Sequence, residues 1–166
     1  MGEFLGLTAT RPEEDAGTGP DDLWRLPEAK TGVALEAKTD KKDGSRYRKK
    51  EDIGQFHDHV RWLEKTYPGE AFLKVIVGKK YPVSEESNPP EDLRIVTLDQ
   101  FLSLADRIKQ LYSYVASAAK TSDVSICAEQ GLESLGLKWP KCVDSLESSL
   151  AIDLKIIEPP QSAGGD

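Results

Sequence analysis

VALEAKT, residues 33–39, is the stretch on which the reading turns. Val33, Leu35 and Ala37 share one face of a strand, and Glu36 and Lys38 share the other. The two charged side chains then stand side by side, about 7 Å apart along the backbone. Charge in a core strand is costly unless it is paired or bound to a cation. The polar face of this strand therefore needs partners.

One partner lies upstream. Pro20–Leu26 (PDDLWRL) reads as a strand whose leading proline costs no ladder bond, and Glu28–Gly32 supplies a turn. A hairpin over these residues carries Asp21, 15 positions before Glu36, to the same sheet edge. Strand alternation lets only one of Asp21 and Asp22 face inward. Further upstream, Phe4–Thr10 alternates apolar and small residues as a short strand does. Arg11–Gly19, rich in Pro, Gly and acids, reads as a loop.

Downstream, the segment from Lys38 to Lys50 (KTDKKDGSRYRKK) holds seven basic and two acidic residues. Such a block can bind phosphates on a domain whose net charge is −7. A helix follows, with Ile53, Phe56, Val60 and Leu63 at three- and four-residue steps and Pro68-Gly69 as its stop. Gln55 lies off that stripe. Ala71–Val77 (AFLKVIV) is a β-branched apolar run, the pattern of a buried strand. Residues 81–91 form a polar loop, and Leu93–Val96 reads as a short final strand. Thr97 and Gln100 make a capping box for a second helix, whose stripe runs through Phe101, Leu104, Ala105, Ile108, Leu111, Tyr112 and Val115. Residues 124–154 predict one or two short helices around Trp139-Pro140, and 159–166 a disordered tail.

Two carboxylates and an ammonium at one edge suit phosphodiester hydrolysis. Mg²⁺ takes oxygen ligands, commonly one or two carboxylates with waters and substrate phosphate. Asp21 and Glu36 offer the carboxylates, and the Ala37 carbonyl a third oxygen. Lys38 can orient the attacking water and stabilise the anionic transition state.

Pro20-Asp21 followed by Glu36-Ala37-Lys38 on the next strand resembles the signature of the PD-(D/E)XK nuclease superfamily. The resemblance covers residues 4–115. It implies an α/β, restriction-endonuclease-like mixed sheet (an αβββαβ core) flanked by helices, here with a helical C-terminal extension. On that pattern residues 1–158 form one domain, with its core over 4–119 and the extension over 120–158. The resemblance implies a Mg²⁺-dependent DNA endonuclease, Mn²⁺ substituting. Asp21, Glu36, Lys38 and Gln55 are then catalytic, and Asp21, Glu36 and Ala37 hold the metal. Arg46, Arg48, Lys49 and Lys50 are the DNA-contact candidates. A catalytically inactive interaction or DNA-binding module on the same fold is the alternative. The family's first helix, which often brings an acid, is missing or short here, and Glu3 is the acid closest to its place. A helicase or specificity region in the same or a partner chain, and a homodimer, both stay open.

Other readings are narrower. His57 and His59, two apart on a helix, point to different faces and cannot chelate one metal; His59 and Trp62 share the Gln55 side. Trp24 reads as core. Cys127 and Cys142 read as reduced, half-buried thiols, unsuited to a zinc site. No G-x-x-x-x-G-K-[ST] or G-x-S-x-G motif occurs. No apolar run reaches the roughly 20 residues of a membrane span, and the first residues lack a secretory pattern, which leads to the expectation of a cytoplasmic protein without membrane partners.

Overall fold

Strand β3 (Thr31–Lys38) lies inside a six-stranded mixed sheet of an α/β fold. The computed structural model describes residues 1–38, 50–120, 122–144 and 149–156. The chain runs through β1 (Thr8–Thr10), α1 (Pro12–Ala16), β2 (Asp22–Leu26), β3, α2 (Lys50–Thr66), β4 (Ala71–Gly78), β5 (Val83–Ser84) and β6 (Leu93–Val96). It continues with α3 (Leu98–Ala118), α4 (Val124–Ser134), α5 (Lys141–Asp144), β7 (Ser149–Leu150) and β8 (Lys155–Ile156). The sheet order is β1-β2-β3-β4-β6-β7, and β5 pairs with β8 in a separate two-stranded sheet.

β1, β2 and β3 form an antiparallel meander, while β4 lies parallel to β3 across the α2 crossover. The β2–β3 turn passes through the short 3₁₀ segment Pro27–Ala29 and closes with Lys30 at φ 49°. β6 then adds parallel to β4, and β7 antiparallel to β6. A strand with neighbours on both sides and helices over both faces is mostly apolar, which is why β4 reads FLKVIV, its one charged residue, Lys74, being paired with Asp92.

The two faces carry separate cores. Val33, Leu35, Val75, Val77 and Val96 meet Leu104, Ile108 and Leu111 of α3, with Trp24 stacked on Phe101 at 6.0 Å. On the opposite face Ile76, Leu93 and Ile95 pack with Ile53 and Phe56 of α2, and Leu23 and Ala34 pack with Leu63. Complete burial of one such side chain contributes about 1.5–3 kcal/mol. The capping box at α3 forms as its sequence specifies: Gln100 N–H donates to Thr97 Oγ1 at 3.2 Å, and Thr97 N–H to Gln100 Oε1 at 2.9 Å.

Five expectations change. Residues 4–7 are not strand: Gly2–Leu5 is a 3₁₀ turn closed by Gly6 at φ 76°, with Gly2 packed where a Cβ would come within 2.7 Å of the Trp24 ring. Within 11–19, read as a loop, Pro12–Ala16 is helical. Leu93–Val96 is not the final strand, since β7, within the expected helical extension, pairs with it as the sheet edge. That extension also buries Leu137, Cys142 and Val143 in the α3-side core, so it is part of the packed body. Cys127 and Cys142 form no disulfide with each other and are fully rather than half buried. The tail 159–166 lies outside the described residues. Among the described residues no helix is long and apolar enough to cross a membrane.

Candidate active site

The β2–β3 register decides where the first carboxylate falls. Asp22 pairs with Leu35, so Asp21, one residue earlier, arrives beside the Glu36–Ala37 peptide. Its Oδ2 accepts the Ala37 N–H at 2.6 Å. Asp22 is turned away from that contact. It is half-buried, and burial pushes its carboxyl above the usual carboxylate range, with Trp24 and the Leu23 amide opposing. The competition between the two aspartates thus resolves toward Asp21 on geometry.

Glu36 is 2% exposed, a buried charge that must be compensated. Its Oε1 lies 2.8 Å from Lys38 Nζ, which also donates to Gln55 Oε1 at 2.7 Å. Its Oε2 stands 3.2 Å from His59 Nδ1. Gln55 and His59 are four residues apart on α2, so they share a face of that helix. The Ile53, Phe56 and Leu63 side chains seat α2 on the sheet, and the next positions round the helix then overhang the polar end of β3. His57 points elsewhere, its Nε2 3.0 Å from the Asn88 carbonyl oxygen.

A further acid joins from α1. Glu13 has its carboxyl pushed above the usual range, first by a side-chain hydrogen bond with Asp21, then by the Asp21 charge, burial and the Glu36 charge; His59 opposes. Three carboxylates therefore feel one another at this edge. Reading 11–19 as a loop left Glu13 unassigned. The usable signal was a proline at the first helical position, three acids in the first turn, and Gly17 in the left-handed region at φ 68°. Glu3, the candidate by position, sits in the exposed 3₁₀ turn whose Gly2 meets Trp24, on the α3 side of the sheet. It is not part of the cluster. Gly19 lies between α1 and α2, where an added Cβ would meet Pro12 at 2.9 Å and the Trp62 ring at 3.1 Å.

Ala37 departs from its expected place on the buried face and is exposed. β2 pairs with β3 only as far as Leu35, so Ala37 has a strand neighbour on the β4 side alone. Among the basic candidates, Lys50 is exposed at the first residue of α2, whereas Arg46, Arg48 and Lys49 lie outside the described residues.

Among the described residues no group of three or more His, Cys, Asp or Glu side chains forms a cage for a metal ion. Mg²⁺ does not require one, because it is commonly bound by one or two carboxylates with water and phosphate completing its shell. The donors present fit that mode. Glu13, Asp21 and Glu36 bring their charges close together, where a cation would relieve their repulsion, and Glu36 Oε1 is met only by the partly exposed Lys38 among the described residues. No family model, no curated protein and no solved structure matches this chain.

Proposed function

We propose that this domain is a Mg²⁺-dependent nuclease that hydrolyses DNA phosphodiester bonds. The observation that carries the reading is the convergence of Asp21, Glu36, Lys38 and Gln55, from three elements, on one polar cluster at the end of β3. The PD-(D/E)XK resemblance has the same residue types in the same order, and the antiparallel meander followed by a helix crossover to a parallel strand supports it. One departure from an αβββαβ core is that α1 follows β1 instead of preceding it.

In this reading Asp21 and Glu36 hold the cation, with the Ala37 carbonyl as a third oxygen, and Glu13 reaches the same site through Asp21. When bound, Mg²⁺ neutralises phosphate charge and acidifies a coordinated water. Lys38 leaves Glu36 to orient the nucleophile and to stabilise the developing anion, and Gln55 keeps its ammonium aimed at the site. Lys50, with Arg46, Arg48 and Lys49 in the basic sequence before it, offers phosphate contacts outside the reacting bond.

A second reading, an inactive DNA-binding or interaction module on this fold, draws support from the Lys38–Glu36 pair, since the buried charge is already compensated without a metal. Nicking of supercoiled plasmid and cleavage of single-stranded DNA with Mg²⁺ or Mn²⁺ separates the two. The nuclease reading expects metal-dependent cleavage that is abolished in Glu36→Ala and Lys38→Ala variants that still fold. DNA binding without cleavage supports the module, and cleavage persisting in both variants overturns the site. RNA and cyclic-nucleotide controls test other phosphodiesters.

A further inference from the structure

Glu36 Oε2 and His59 Nδ1 are both buried and, among the described residues, both lack a hydrogen-bond partner although they stand 3.2 Å apart. Each needs what the other can give. A carboxylate oxygen only accepts, and an imidazole Nδ1 donates whenever it carries the proton. The separation is within hydrogen-bond range, and the bond forms when the Nδ1–H is aimed at Oε2. Leaving a buried carboxylate oxygen unsatisfied is costly, which favours that bond.

The two oxygens of Glu36 are held differently. Oε1 is contacted by Lys38, a long side chain that is 26% exposed. Oε2 is faced by an imidazole whose side chain is 9% exposed and whose ring leans on Phe56 at 6.1 Å, on a helix anchored by Ile53 and Phe56. The lysine can swing away and the ring cannot.

We propose that His59 is a positioning residue that fixes Glu36 through an Nδ1–H bond to Oε2, so that Oε1 is the oxygen that exchanges Lys38 for a divalent cation. Lys38, once displaced, keeps Gln55 Oε1 as its partner and stays beside the site. This inference rests on the metal-site reading above. Groups that orient a metal-binding carboxylate commonly control affinity by about 10–100-fold, and His59 should fall in that range.

The test is calorimetric titration of the nucleic-acid-free protein with MnCl₂, so that the readout does not depend on cleavage. Wild type binds Mn²⁺ and Glu36→Gln does not. His59→Phe, which keeps the packing on Phe56 but has no donor, binds about 10–100-fold more weakly. His59→Asn, whose amide nitrogen lies near the place of Nδ1, recovers most of that loss. Where His59→Phe does not fold, as judged by circular dichroism, His59→Leu replaces it as the donor-free variant. Equal affinity in wild type and His59→Phe overturns the proposal and leaves the metal site standing, as does equal weakening in His59→Phe and His59→Asn. Absence of binding in wild type, or binding that survives Glu36→Gln, overturns the metal site itself and this inference with it.

Discussion

The carboxylate of Asp21 accepts the main-chain N–H of Ala37 at 2.6 Å, so a residue just ahead of β2 is clamped to the far end of β3. One oxygen sets the end of the hairpin, and the other is left for the acids around it. Asp21→Asn retains an acceptor for the Ala37 amide and loses the charge. It should unfold in urea within about 0.5 kcal/mol of wild type while plasmid cleavage falls about 100-fold or more. Asp21→Ala loses the clamp as well, at a cost of about 1 kcal/mol. Equal cleavage by wild type and Asp21→Asn would remove Asp21 from the site.

Glu36 and Lys38 form a pair in which the acid is buried and the base is partly exposed. Removing the cation alone strands a buried carboxylate. Lys38→Met should therefore destabilise the fold by about 2–4 kcal/mol, and the double variant Glu36→Gln/Lys38→Met should regain most of that loss. Urea unfolding of the four proteins in the cycle measures the coupling. Additive effects would mean that the two side chains do not compensate each other.

At the other end of the sheet, Arg25 makes two hydrogen bonds to Glu70, at 2.6 and 3.1 Å, and stacks on Tyr67 with its guanidinium carbon 3.9 Å from the ring centroid. The hydrogen bond to the Glu70 carboxylate, helped by its charge and by the Tyr67 hydroxyl, holds the Arg25 guanidinium above its already high pKa, against its burial. This end is seven residues from Lys38 along β3, about 23 Å. Glu70→Gln should cost about 1–2 kcal/mol in denaturation and leave cleavage per folded molecule unchanged. A matching fall in activity would show that the site depends on this distant pair.

Gly32 lies where β2 and β3 come close. A Cβ there would stand 2.4 Å from the Trp24 carbonyl oxygen and 2.9 Å from the Phe72 ring. Backbone cannot give way as a flexible side chain does, so Gly32→Ala should destabilise by about 1–3 kcal/mol, and an unchanged melting temperature would contradict the packing described.

The parts of the fold legible in the sequence are those whose pattern repeats. β3 showed in its alternation, α2 in its three- and four-residue steps, and α3 in its stripe and capping box. The meeting of Asp21 with the Glu36–Lys38 end of β3 was legible because hairpin pairing relates them by short-range geometry, whereas Gln55 was named through the resemblance. Glu13 was not legible, because the five residues of α1 are too few for a period, and their proline and acids, followed by Gly17, resemble a turn. His59 was seen to share the Gln55 side, but its approach to Glu36 depends on how α2 docks on the sheet, which no local pattern states. β7 is two residues long and owes its strand conformation to β6, its partner across the sheet edge.

A single helix serves both the core and the site: α2 sends Ile53, Phe56 and Leu63 inward while Gln55 and His59 hang over the end of β3. Each residue advances a helix by about 100°. Inserting or deleting one residue between Gln55 and His59 would force the chain to sacrifice either the hydrophobic seat or the polar cluster. The span 53–63 is therefore intolerant of length changes even where it tolerates substitution, and a grafted version of this domain must carry that span at its native length.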